Sequence, residues 1–297
     1  MQVKNNIFWY SNKEFAQDAF LLYFFSFAKK GFASPDEDSA GELSSLAKQF
    51  LRKLWPTKFG SMSDEELNVT DTKKQYKKID VLIQINNDCY IIIEDKIGTN
   101  VHNDQINVYA KRLNEEDKIP QENILCVFYK TIEQAFSEPE PIVNCTRQDI
   151  LSILNQYKGS NLIVLNYRQY LQDMEDMTEN WRRTAMNQWD SWSWRGFFRH
   201  ITESGLMDYR SEKRLDGWKY IDNQNGGYYG ICWKLWRDDD KIKLEKKGLI
   251  PMIGTLYLQL TSEKKVSIRV SCNIQNYSKS MGFIYNTTQY QHQGTVI

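Results

Sequence analysis

The sequence predicts a mixed α/β domain followed by a β-rich, antiparallel C-terminal region. Three observations carry this expectation. Segments with helical and strand periodicity alternate up to about residue 190. Within them, two runs rich in Ile, Val and Leu flank Asn86-Asn87-Asp88, a turn-forming triplet. From about Arg195 the alternation gives way to short strand-like runs separated by Gly, Asn and Asp.

The elements follow in order. Ser11-Asn12-Lys13-Glu14 has the form of a capping box and opens a helix running to about Lys29. Glycine and Pro35-Asp36-Glu37-Asp38 break the chain, and residues 41–55 repeat apolar side chains at helical spacing. Residues 56–72 read as a polar loop. Residues 76–85 and 89–97 read as paired strands, 101–117 as a helix and Asn123–Lys130 as a buried strand. Thr146-Arg147-Gln148-Asp149 opens a further helix with a second capping-box pattern, and residues 161–190 read as largely helical. In the C-terminal region, 195–206 reads as a leading helix, and 227–236, 252–260 and 264–272 as strands of a small sheet. Two domains are expected, 1–194 and 195–297.

The 297 residues suffice for one large domain or two ordinary ones, and 41% apolar with 13% aromatic content can fill a core. The 38 basic and 38 acidic residues balance, so overall charge gives no argument for a nucleic-acid partner. The balance hides an asymmetry: residues 1–150 hold 18 basic and 23 acidic side chains, leaving 20 and 15 for the rest. Cys89, Cys126, Cys145, Cys232 and Cys272 are scattered and odd in number, as expected of reduced thiols in a cytoplasmic protein. His102, His200 and His292 have no zinc-ligand spacing to one another or to the cysteines. The N-terminal residues have no signal-peptide pattern, and the most apolar segment, Phe15–Ala28, is too short to span a bilayer, so a soluble protein is expected.

The chemistry-bearing residues concentrate between Ile79 and Tyr109. A three-residue loop at Asn86–Asp88 pairs Ile85 with Cys89 and, counting back, Asp80 with Glu94. A two-residue turn would instead set Asp80 opposite Asp95. Strand alternation puts Glu94 and Lys96 on one face and turns Asp95 away. Two carboxylates on opposed strands, with Cβ atoms about 5 Å apart, can share one cation. Mg²⁺, or Mn²⁺ in its place, held this way supplies an attacking hydroxide and charge relief for phosphodiester hydrolysis. Lys96 would position the attacking water or stabilise the transition state. Gln105 and Tyr109, one helical turn apart, would support the site from the next helix.

Each of these residues has a plainer reading. An acid-x-lysine in a strand is usually a solvated edge, but Tyr90-Ile91-Ile92-Ile93 leads into this one and implies burial, which requires a partner or a metal. Lys96 can serve as a structural ion-pair partner of Asp80, and Gln105 and Tyr109 as a hydrogen-bonded pair without function. Asp18 reads as a solvated helix residue and His102 as an idle loop residue. Lys73, Lys74, Lys77 and Lys78 run up to Asp80 and fit a phosphate-backbone contact or a solvated face. Trp181, Trp189, Trp192 and Trp194, interspersed with arginines, fit packing better than base stacking.

With Asp80, then Glu94-Asp95-Lys96 at the end of an apolar strand, and Gln105-x-x-x-Tyr109 on the following helix, the sequence resembles the PD-(D/E)XK nuclease superfamily over roughly residues 10–130. Ile79 departs from the motif's proline. The resemblance implies a restriction-endonuclease-like sheet flanked by helices and Mg²⁺-dependent DNA cleavage. It also implies a metal-site role for Glu14, the acid near the start of the first helix, although the capping box explains that residue without chemistry. Two alternatives stand beside a DNA nuclease: a catalytically silent module that binds nucleic acid or protein, and an RNA-cleaving defence effector. Residues 195–297 are open to target recognition, homodimerisation or partner binding.

Overall fold

In a computed structural model of the chain, the described residues are 5–11, 13–32, 37–97, 105–133, 141–204, 217–221, 227–234 and 255–271. Asn12, Pro35, Asp36, residues 98–104 with His102, Cys272 and His292 lie outside them. The packing divides the chain into two compact units between Met177 and Thr178.

The first unit begins with α1 (Ile7–Tyr10), α2 (Lys13–Ser26), α3 (Glu37–Leu54) and α4 (Pro56–Phe59). Ser11 closes α1, its N–H donating to Ile7 O at 3.1 Å. Then come β1 (Val69–Tyr76), β2 (Ile79–Ile85), β3 (Cys89–Lys96), α5 (Gln105–Asp117), β4 (Ile124–Lys130), β5 (Val143–Thr146), α6 (Arg147–Leu154) and α7 (Leu162–Glu179). The five strands form one sheet in the order β1-β2-β3-β4-β5. The pairings β1–β2 and β2–β3 are antiparallel, and β3–β4 and β4–β5 are parallel, so the sheet is mixed.

Three expectations are corrected here. Residues 56–72 are not a continuous polar loop: they contain α4 and the start of β1. β1 is an edge strand whose sequence, VTDTKKQY, has no run of buried apolar residues; pairing with β2 defines it. The strand expected over 76–85 is split at Lys77-Lys78, a two-residue turn with both φ angles positive (51° and 74°) and neither glycine nor asparagine to announce it. Finally, α7 ends at Glu179, and the segment expected to stay helical to residue 190 continues as two short 3-10 turns. The four-residue strand β5 was too short to show a pattern.

The β2–β3 hairpin follows the expected register. Ile85 pairs with Cys89 and Val81 with Ile93, across a loop of Asn86, Asn87 and Asp88. Asn86 (φ 50°) and Asn87 (φ 70°) take the left-handed conformation that asparagine tolerates better than most residues.

Alternation along the strands builds two cores. Leu82, Ile92, Cys126 and Phe128 meet Ile106, Tyr109 and Leu113 of α5 on one face. On the other face Asp95 meets Gln17 of α2, and Tyr129 meets Tyr167 of α7. Beneath that face, Phe20 stacks on Tyr167 at 3.7 Å between ring centroids, and Phe25 on Phe50 at 5.8 Å. Each fully enclosed phenylalanine contributes about 1.5–3 kcal/mol. Cys89, Cys126 and Cys145 are buried free thiols, as expected.

The second unit contains α8 (Ser191–Glu203) and an antiparallel sheet of β6 (Gly217–Ile221), β7 (Tyr228–Lys234), β8 (Thr255–Thr261) and β9 (Val266–Ser271), in that order. The α/β architecture with an antiparallel C-terminal region is therefore as the sequence predicts. Trp194, Phe198 and Ile201 of α8 pack with Trp218 and Ile231. A Cβ on Gly196 would lie 2.0 Å from Thr178 O, so only glycine allows this close approach. Trp181, Trp189 and Trp194 pack on Phe197 and on one another.

Candidate active site

Asp80, Glu94 and Lys96 meet at the C-terminal end of β3. The chain brings them there through a strand too apolar to face water. Six of its eight residues are buried, and Glu94 is wholly enclosed because it continues the Ile91–Ile93 run. Lys96 Nζ lies 2.5 Å from Glu94 Oε1 and 3.8 Å from Asp80 Oδ2. Glu94 Oε2 is enclosed with no hydrogen-bond partner among the described residues. Asp80, at the start of β2, accepts the N–H of Asp95 on Oδ2 (3.2 Å) and Nε2–H of Gln75 on Oδ1 (2.9 Å).

Helix α2 closes the other side. Glu14 Oε1 accepts the N–H of Ile97 at 3.4 Å, so this side chain reaches the end of β3. Asp95 points to α2, opposite to Glu94, and accepts Nε2–H of Gln17 at 2.5 Å. Asp18 corrects the sequence reading: it is not a solvated helix residue but only 2% exposed, with Oδ1 unpartnered. The helical spacing from Glu14 was the available signal, but its burial depends on how α2 docks against the sheet.

Electrostatics follow from this crowding. Burial pushes Glu94 up to about 7, and Asp80 adds to the rise while Lys96 opposes it. Burial likewise pushes Asp18 up to about 7, with Asp80 and Glu14 contributing. Asp95 is held well above the carboxylate range, again chiefly by burial and next by Asp18. For Lys96, burial favours the neutral amine, but Glu94, Asp80 and Glu14 outweigh it and raise the ammonium's pKa. Five carboxylates thus share a small region with Lys96 and the nearby Lys74, and enclosed carboxylate oxygens without partners favour uptake of a proton or a cation.

The donor set fits a hard divalent ion. Asp80 and Glu94 provide oxygens, and Glu94 Oε2 has a lone-pair face with no protein donor. Among the described residues no group of three Asp, Glu, His or Cys side chains is placed to hold a metal ion, so the acids that could reach one are the pair Asp80 and Glu94.

Gln105 and Tyr109 hydrogen-bond to each other, Nε2–H donating to Oη at 2.5 Å. Tyr109 belongs to the core with Leu82 and Ile92, on the sheet face that also carries Asp80 and Glu94. The lysines separate. Lys77 is clamped by Asp117 (2.6 Å) and Glu116 (2.9 Å), which raise its pKa through hydrogen bonds. Lys73 lies 4.7 Å over the Tyr76 ring and 3.6 Å from Asp71. Lys74 sits 4.7 Å over the exposed Phe15 ring, and Lys78 is exposed. Gln75 was not singled out by sequence at all; its contact to Asp80 depends on β1, which has no pattern of its own.

A mixed sheet between helices, with an acid on one strand and an acid-x-lysine on its neighbour, defines the restriction-endonuclease-like fold. The family model described as the PD-(D/E)XK nuclease superfamily matches residues 10–194, more than half of the chain, and the chain belongs to that superfamily. No curated protein and no solved structure matches the chain. Among the described residues no helix is long and apolar enough to cross a membrane.

Proposed function

We propose that this chain is a metal-dependent nuclease that hydrolyses DNA phosphodiester bonds, with residues 1–194 as the nuclease domain. The observation that carries the reading is Glu94: a fully enclosed carboxylate against Lys96 and crowded by the Asp80 carboxylate. Without a bound cation this arrangement costs the fold stability, which is typical of a site kept for its chemistry.

Asp80 and Glu94 would hold Mg²⁺, with Mn²⁺ as a substitute, while Glu14, bound to the Ile97 N–H, would act on the ion through its charge. When bound, the ion supplies charge relief at the phosphoryl group and a water of lowered pKa. Lys96, held against Glu94, places a positive charge where the attacking oxygen and the phosphoryl oxygens gather negative charge. The Asp95 N–H fixes one Asp80 oxygen, so that carboxylate keeps its orientation. Gln105 and Tyr109 stiffen the helix beside the site. Lys73, Lys74 and Lys78 would contact the nucleic-acid backbone, whereas Lys77 is already neutralised by Asp117 and Glu116. Residues 195–297 would form an additional domain for target recognition or self-association.

The test is a cleavage panel on single- and double-stranded DNA and RNA with Mg²⁺, Mn²⁺ or chelator, using wild type, Asp80→Ala and Lys96→Ala. Wild type should cut DNA only with the metal, and both variants should lose about 10²–10³-fold. Full Mg²⁺-dependent cleavage by both variants would overturn the site assignment. Cleavage confined to RNA would replace DNA as substrate, and binding without cleavage would point to a silent module.

A further inference from the structure

We propose that Gln75 is a positioning residue for Asp80, held in place by a strained, glycine-free turn that α5 locks from outside. The inference rests on the reading of Asp80 as a metal-holding acid.

Gln75 lies near the end of β1, between the pairs Lys74–Val81 and Tyr76–Ile79, and so opposite Asp80. Its Nε2–H donates to Asp80 Oδ1 at 2.9 Å, while the Asp95 N–H donates to Oδ2. Each carboxylate oxygen thus accepts one protein donor and keeps one lone pair for a further partner. The carboxylate can turn about its terminal torsion only by breaking one of these bonds. That is the arrangement by which outer groups orient metal-binding carboxylates.

The backbone gives a second, independent sign. Gln75 has φ 53°, and Lys77 and Lys78 have φ 51° and 74°. A side-chain-bearing residue in the left-handed region is strained by roughly 1–2 kcal/mol. Three such residues among four, none of them glycine or asparagine, persist only if their surroundings hold them. Those surroundings are on α5: Arg112 Nη1–H donates to Lys77 O at 2.6 Å, Asp117 and Glu116 pair with Lys77, and Tyr76 Oη donates to Asp117. Gln75 itself is exposed, so core packing does not place its side chain; its side-chain hydrogen-bond partner is Asp80.

Two substitutions separate side chain from backbone. Gln75→Met keeps length and φ preference but has no donor. Gln75→Gly has no donor and relieves the left-handed strain. The readouts are Mn²⁺ affinity by titration calorimetry and the thermal midpoint of the metal-free protein, with Asp80→Ala as reference. Both Gln75 variants should bind Mn²⁺ about 10–100-fold more weakly. The midpoint should be unchanged for Gln75→Met and unchanged or raised for Gln75→Gly. Affinity within twofold of wild type in both variants, with Asp80→Ala losing it, overturns the role of Gln75 alone. Unaltered affinity in Asp80→Ala overturns the metal-site reading beneath it.

Discussion

Glu94 closes an apolar strand with its carboxylate enclosed, and burial lifts its pKa from the ordinary 4.5 to about 7. Between those values the folded protein binds more protons than the unfolded chain, so the Glu94 contribution to stability falls as pH rises through that window. Asp18, raised from 3.8 to about 7, acts in the same direction. Metal-free protein is therefore expected to melt at a higher temperature near pH 5 than near pH 8, and Glu94→Gln to flatten that dependence, both measurable by calorimetry in chelator. Lys96 opposes the rise at Glu94, so Lys96→Met should move the proton uptake of Glu94 to higher pH, readable by carboxylate NMR. At this scale the sequence was legible for Asp80, Glu94 and Lys96, because strand alternation and a loop count of three residues determine who faces whom. Asp18 was not: a polar residue on a helix shows no sign of burial until the sheet beneath it exists. Gln75 was hidden more deeply, since its contact needs a strand register that β1 does not encode in its own side chains.

The elements show how local signals and tertiary contacts divide the work. Helix α6 starts where its sequence says it should: Thr146 accepts the N–H of Asp149, and Asp149 accepts the N–H of Thr146, as a reciprocal capping box. Thr146→Ala should cost about 1 kcal/mol in urea unfolding. The next residue, Arg147, is almost wholly buried, donating to Thr131 O at 2.6 Å and to Glu175 at 3.0 Å, and pairing with Glu133. Removing the guanidinium takes a buried charge away from Thr131 O and two acids, so Arg147→Met should cost about 3–5 kcal/mol by the same measurement. The Lys77-Lys78 turn is the opposite case, an element whose sequence argues against it and whose neighbours enforce it. Lys78, exposed at φ 74°, is the safer place to relieve that strain: Lys78→Gly should raise the unfolding free energy by about 1 kcal/mol. Sequence patterns missed this turn for the same reason that they missed β5 and β6. Four- and five-residue strands and Lys-Lys turns have no compositional signature, and only pairing partners create them.

For the molecule as a whole, the mixed sheet places antiparallel β2 and parallel β4 on either side of β3, so the strand that ends in Glu94 and Lys96 is the central one. The alternation of helical and strand periods makes this architecture legible in the sequence. The strand order was not readable, because it depends on long-range pairing. On the proposed function, a cation held by Asp80 and Glu94 should be linked to global stability through the central strand. A millimolar level of Mn²⁺ is expected to raise the melting temperature more at pH 8 than at pH 6, where protons on Glu94 and Asp18 compete with it. An equal shift at both pH values would detach the ion from these acids.

β1 carries one further consequence, for how copies of the chain behave in a crowded solution. As the outermost strand it offers backbone donors and acceptors to any other strand that approaches. Its irregular pairing between Val69 and Asp71 and its exposed Lys73 and Lys74 make that approach unfavourable. The lysines beside the candidate site therefore also act as a guard against self-association: with Thr at both positions, the protein should fold as before yet form β-rich aggregates at lower concentration.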